Sequence, residues 1–238
     1  MGKYALLLSG GIDKKYNYPR YKNDLEWVYK VLVEDCNYEQ KDIKIFYADG
    51  KPLNYAGNCI ITSKADKDEL VQYLEDMALL LTEKDVFTMV VSNHGGDTAT
   101  GGCIYLWGIV PLELNSLVAL LRQIKAQKYI ILGECYGGNI LNWDIENSCI
   151  VTANERGCVS YTNPQKPDYD ELIRHLFSYI HKGYPDGISI PQGSNDVKDA
   201  YRFACVHDAL KPGSLLAQQY GISEMPQMEC NMSGRIQF

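Results

Sequence analysis

What most constrains the fold of this chain is the way two of its apolar runs end. VFTMVV gives way to Ser92, Asn93, His94, Gly95 and Gly96, and KYIIL gives way to Gly133, Glu134, Cys135, Tyr136, Gly137 and Gly138. Short apolar runs rich in β-branched residues and closed by glycine read as strands buried on both faces. Such runs are expected as strands at 3 to 9, 42 to 47, 85 to 92, 128 to 133 and 148 to 153. Between them lie amphipathic stretches expected as helices at 23 to 35, 66 to 81, 113 to 126, 168 to 182 and 195 to 210, with Asn23 placed to cap the first. Strands alternating with helices are the pattern of βαβ units. The expected fold class is therefore α/β: a three-layer sandwich with a mostly parallel central sheet and helices on both faces. The segment 94 to 111 carries five glycines and reads as a loop holding a small hairpin.

A length of 238 residues with 46% hydrophobic side chains suits one domain, 1–238, with 213–238 a candidate C-terminal appendage. The 23 basic residues are scattered and outnumbered by 30 acidic ones, which argues against nucleic acid as a partner. No stretch approaches the roughly 20 apolar residues needed to span a bilayer, so no membrane partner is expected. The run Tyr4 to Leu8 is too short for a signal peptide. A cytoplasmic chain is expected, or a secreted or periplasmic one if a leader has been removed. The eight cysteines show no CxxC spacing, and several, such as Cys149 and Cys205, sit inside apolar runs where a free thiol behaves as a small hydrophobe. Ser9, Gly10 and Gly11 lack the Lys-Ser/Thr of a phosphate-binding loop, and no dense acidic cluster suggests calcium. No cofactor and no metal are expected. The residues leave the oligomeric state open.

In doubly wound sheets ligands bind beyond the carboxyl ends of the strands. If the strands ending at His94 and Cys135 are neighbours, an imidazole and a thiol face each other across one crevice. A thiol with an ordinary pKa of about 8.5 needs such a partner to act near neutrality. Glycine beside each residue lets the backbone N–H groups of Gly95 and Cys135 approach a developing oxyanion. Cys135 is thus a candidate nucleophile and His94 its acid and base.

Strand-His-Gly followed by strand-x-Cys-x-Gly, with His94 coming 41 positions before Cys135, resembles the caspase-like clan of cysteine peptidases, which includes caspases, legumains, clostripain and gingipains. The opening YALLLSGG…NYPRYKNDLEWVYKVL is similar to the first strand, loop and helix of legumain-type enzymes, where an arginine lines the pocket for the residue before the cut. With a one-residue shift, Arg20 takes that position. VTANERGCVSY, residues 151 to 161, resembles the segment that forms the opposite wall, which makes Asn154, Cys158 and Ser160 pocket candidates beside Glu134. GSNDVKDAYRFACVHDAL resembles the C-terminal helix of bacterial members. The resemblance implies a Cys–His dyad with no third side chain, the imidazole being oriented by a backbone carbonyl, and a protein or peptide substrate. Gly133 stands where the family often carries Gln, Glu or Asp, and Asn93 stands where legumains carry Asp. Arg20, read without an acidic neighbour, implies Asp or Asn at P1. Asn93 reads as a turn cap, and Glu134 as the partner of a nearby base.

Two other readings stand beside this one. GECYG also resembles the nucleophile elbow of class I glutamine amidotransferases, which place their histidine after the cysteine. The later histidines, His175, His181 and His207, are read as solvated helix residues. The third reading is a caspase-like binding or scaffold module with a silent dyad.

Overall fold

A computed structural model describes residues 1–232 and 237–238. Its centre is a six-stranded sheet in the order β11-β10-β9-β5-β1-β2. The strands are β1 (Lys3–Ser9), β2 (Ile43–Tyr47), β5 (Val86–Val91), β9 (Gln127–Leu132), β10 (Ser148–Thr152) and β11 (Gln227–Cys230). All pair in parallel except β11, which runs antiparallel along β10. The five strands expected from sequence are therefore present within a residue or two of their anticipated ends.

Alternation along these strands feeds two cores, as a period of two requires. Ala5, Leu7, Tyr129, Ile131, Cys149 and Val151 face one side. There they meet α1 (Pro19–Glu34), α4 (Glu171–His181) and α5 (Val197–His207). Leu6, Leu8, Phe87, Met89, Ile130 and Leu132 face the other, against α2 (Lys67–Leu80) and α3 (Leu114–Leu121). This is the expected three-layer α/β sandwich.

Differences from the expected helices have local causes. Pro19 begins α1, since its fixed φ suits the first helical position. The helix therefore starts before Asn23, which does not cap it; the Asn23 amide donates to the Asp168 carbonyl instead (2.9 Å). α2 opens at Asp66, whose carboxylate accepts from the N–H groups of Asp68 and Glu69. α3 is shorter than expected because the chain leaves it after Leu121, and the buried Lys128 ammonium takes up the Ile124 and Ala126 carbonyls. The glycine-rich stretch forms a three-stranded antiparallel sheet of β6 (Gly95–Gly96), β7 (Cys103–Leu106) and β8 (Val110–Glu113). The small hairpin of β3 (Leu53–Tyr55) and β4 (Asn58–Ile60) and the short α6 (Leu215–Tyr220) were not anticipated.

The described part of 213–238 is no appendage. β11 completes the sheet edge, and Phe238 is only 1% exposed, its ring against Tyr129 (4.8 Å between centroids) and Phe177 (5.7 Å). The Lys3 ammonium donates to its carbonyl oxygen (2.8 Å). Phe238→Ala is expected to lower unfolding stability by about 3–5 kcal/mol in denaturant titrations; an unchanged midpoint would mean the C-terminus merely rests on the domain.

Candidate active site

β5 and β9 lie side by side with Val91 opposite Leu132, so the segments 92–96 and 133–138 leave the same edge of the sheet together. The loop between β1 and α1 folds over them. β1 is where the strand order turns, with β2 on one flank and β5 on the other, and such switch points open a crevice at the carboxyl edge.

Glycine makes the close approach of these segments possible. A Cβ on Gly95 would fall 1.9 Å from the Cys135 carbonyl oxygen, and one on Gly138 would fall 2.4 Å from the Asn154 carbonyl oxygen. Between those two contacts the chain turns sharply. Tyr136 takes the left-handed conformation (φ 60°), which a side chain tolerates only where its surroundings hold it. Its N–H donates to the Cys158 carbonyl (2.8 Å). Asn154 braces both ends of the turn, its amide donating to the Glu134 carbonyl (2.9 Å) and its Oδ1 accepting from Gly138 N–H (3.1 Å).

The half-buried Cys135 thiol donates to the Ser160 carbonyl (3.4 Å). Its own N–H meets no acceptor among the described residues. Tyr105 N–H donates to the His94 carbonyl (3.0 Å), which makes Gly95 and Ile104 a non-hydrogen-bonded pair and leaves Gly95 N–H outside the ladder. Among the described residues neither N–H has an acceptor, so two donors stand at the edge where Cys135 emerges.

His94 Nε2 lies 3.0 Å from the Tyr16 carbonyl oxygen. The contact is a hydrogen bond when Nε2 carries the hydrogen, which puts the lone pair on Nδ1. The rings of Tyr18 and Tyr21 meet the imidazole edge-on, each with its centroid 5.4 Å away. Asn93 accepts from His94 N–H (2.9 Å) and donates to the Tyr105 carbonyl (2.8 Å), so it caps the turn, as expected.

Behind the thiol lies a buried charged cluster. Arg20 stacks on Tyr21 (4.6 Å) and sets Nη1 3.7 Å from Asp170 Oδ2, while its Nε meets no acceptor among the described residues. Asp24 is fully buried and links three elements, accepting from Ser92 Oγ (2.5 Å) and from Asp170 N–H (3.0 Å). Glu224 accepts from Ser160 Oγ and Tyr161 N–H (both 2.7 Å), and its second oxygen has no hydrogen-bond partner among the described residues. Burial and the neighbouring Asp170 push the Asp24 carboxyl up to about 8 and the Glu224 carboxyl well above its usual range. Burial also raises Asp170, but the Arg20 charge limits it to about 6. Burial thus favours the neutral form of Asp24 and Glu224, while the Arg20 guanidinium favours the charged form of Asp170.

The pocket candidates therefore divide. Arg20 and Ser160 adjoin the thiol; Cys158 is exposed and takes part through its carbonyl. Asn154 is buried as a brace. Glu134 is sealed beneath the turn, neither oxygen hydrogen-bonded to another described residue, and burial raises its carboxyl to about 8. It pairs with no base among the described residues. His175 is not solvated: it is buried between Tyr184 Oη (2.7 Å) and Glu171 (3.2 Å). Sequence reading missed Tyr16, Asp24, Asp170 and Glu224. Asp24 alone left a signal, an acid on the apolar face shared by Tyr21, Val28 and Val31.

No protein-family description matches the chain, and no curated protein sequence matches it. Among solved structures it is similar to protein GSU0716 from Geobacter sulfurreducens, with a TM-score of 0.64 at 11% identity over 98% of this chain and 95% of that one. At such identity the likeness concerns the fold.

Burial raises the Cys135 thiol above its ordinary value, against the Ser160 hydrogen bond and Arg20. Burial lowers the His94 imidazole, and the Arg20 charge adds to this against the Tyr16 hydrogen bond. The resting pair at pH 7 is thus neutral thiol and neutral imidazole. Alkylation of Cys135 by iodoacetamide, followed by peptide mapping, is expected to climb steadily from pH 7 to 10. A flat rate from pH 5 to 8 would reveal a preformed thiolate and contradict this charge state.

Proposed function

We propose that this chain is a cysteine endopeptidase of the caspase and legumain kind, working through Cys135 and His94. The observation that carries the reading is the hydrogen bond from His94 to the Tyr16 carbonyl, which leaves Nδ1 as a proton acceptor at the edge where Cys135 emerges. A backbone carbonyl in place of a third catalytic side chain is what the family resemblance implies.

In this mechanism the Cys135 thiol gives its proton to His94 as Sγ attacks the peptide carbonyl carbon. The N–H groups of Gly95 and Cys135 receive the oxyanion. Collapse breaks the C–N bond, the imidazolium protonates the departing amine, and a thioester remains. Water, deprotonated by His94, then attacks the thioester, releasing the acid and returning the proton to sulfur. Because neither group is charged at rest, His94 has to act as a true base in the first step, and activity is expected once the imidazole is neutral.

Specificity follows from the cluster around Arg20. The expectation of a guanidinium without an acidic neighbour does not hold, since Asp170 and Glu224 share its site. A P1 carboxylate would meet Asp170 as well as Arg20. A carboxamide suits this set better: its oxygen accepts from Arg20 while its NH2 donates to Asp170 or Glu224. Asn is therefore preferred over Asp at P1.

The amidotransferase reading needs a histidine after Cys135. His175 is held by Glu171 and Tyr184, His181 by Asp35 (2.6 Å), and His207 by the Phe203 carbonyl (2.9 Å) and ring. None of these contacts leads to the thiol.

A panel of fluorogenic peptides differing at P1 tests the proposal. Wild type is expected to cleave after Asn, Cys135→Ala and His94→Ala to lose at least about 10³-fold in kcat/KM, and His207→Ala to retain activity. Hydrolysis that survives in Cys135→Ala would overturn the proposal, and preference for Lys or Arg at P1 would overturn the pocket assignment alone.

A further inference from the structure

A pair of cysteines lies away from the candidate active site, at the sheet edge. β11 is the antiparallel strand of an otherwise parallel sheet, and its register sets Cys230 directly opposite Cys149 of β10. Asn231 N–H donates to the Ser148 carbonyl (3.0 Å), so Cys149 and Cys230 form a non-hydrogen-bonded pair. In such pairs the Cα atoms are about 4.5 Å apart and both side chains stand on one face. That separation lies within the roughly 4.4–6.8 Å spanned by disulfides.

The register at this point is fixed independently. The Asn231 side chain accepts from Ser148 N–H (2.8 Å) and donates to the Ile145 carbonyl (2.8 Å), locking the end of β11 next to the pair. Cys149 is buried and Cys230 half-buried on the outermost strand, so Cys230 is the more accessible residue of the two. Burial, and then the facing Cys230, push the Cys149 thiol up, so Cys149 does not start the reaction as a thiolate.

We propose that Cys149 and Cys230 are a modification site, a cross-strand dithiol that a low-molecular-weight disulfide such as oxidised glutathione converts reversibly to a disulfide. Cys230 thiolate attacks one glutathione sulfur, forming a mixed disulfide and expelling glutathione thiolate. Cys149 loses its proton to solvent and attacks the Cys230 sulfur, expelling the second glutathione. One oxidised glutathione is reduced to two thiols while two protein thiols become one disulfide. The bond closes a loop that contains α4, α5 and α6 and ties the edge strand to the sheet. It stays open in a reducing compartment and forms in an oxidising one. Nothing in it depends on the proposed hydrolysis.

Cleavage after glutamate releases residues 147–155 and 230–238 as separate peptides, each with a single cysteine. After the full chain is incubated with excess oxidised glutathione and digested without reduction, these two peptides are expected as one linked species. The species should be absent from Cys149→Ser and from Cys230→Ser, and Tm of wild type should rise by roughly 5–10 °C, reversibly with dithiothreitol. The exposed Cys59 and Cys158 serve as internal controls for oxidant strength. If those two are modified while Cys149 stays free, whether Cys230 is also free or stops at a glutathione adduct, the proposal is overturned.

Discussion

Parallel pairing of β5 with β9 is the contact on which the rest of the candidate site depends. It converts two glycine-flanked turns, far apart in sequence, into one edge where His94 and Cys135 emerge together. The pairing is enforced by burial, because Phe87, Met89 and Val91 share a core with Ile130 and Leu132. A slip of one residue would send the side chains of the displaced strand to the opposite face. Gly95 then sets the final approach, since even a methyl group there would overlap the Cys135 carbonyl.

A second constraint is electrostatic. Asp24, Asp170 and Glu224 are all buried near a single guanidinium. Charging all of them would cost far more than Arg20 could offset, so burial pushes their carboxyls toward the neutral form. What remains is a polar cluster in which Asp24 joins α1 to the end of β5 and the start of α4, while Glu224 ties the chain entering β11 to Ser160 and Tyr161. Asp24 is its hinge, since it holds both Ser92, two residues before His94, and Asp170, the partner of Arg20. Positioning of the imidazole and shape of the pocket are thereby linked through one carboxyl group.

Much of this was legible in the sequence, for reasons of periodicity. Runs such as YALLLS and YIIL alternate between two cores, and that pattern alone fixes a sheet covered on both sides. Strand ends carrying His-Gly and Cys-x-Gly were readable because glycine there answers a steric demand. What could not be read were contacts made by single residues across long separations. Glu224 reaches Ser160 from the far end of the chain, and Tyr16 meets His94 through its carbonyl, which no side-chain pattern encodes. Glu134 looked like a pocket residue because it neighbours the thiol, yet the turn that exposes Cys135 rotates its neighbour inward. β11 escaped notice for a related reason: a four-residue edge strand, half-buried throughout, carries little alternation.

Covalent capture tests the central claim, that Cys135 and His94 act together on a carbonyl held in this crevice, most directly. Incubation of the intact protein with a peptidyl acyloxymethyl ketone carrying Asn at P1, followed by mass spectrometry, should give one adduct on Cys135, with labelling sharply slowed in His94→Ala. Equal labelling of Cys135 with and without His94, or an adduct that forms on another cysteine while Cys135 stays free, would contradict it.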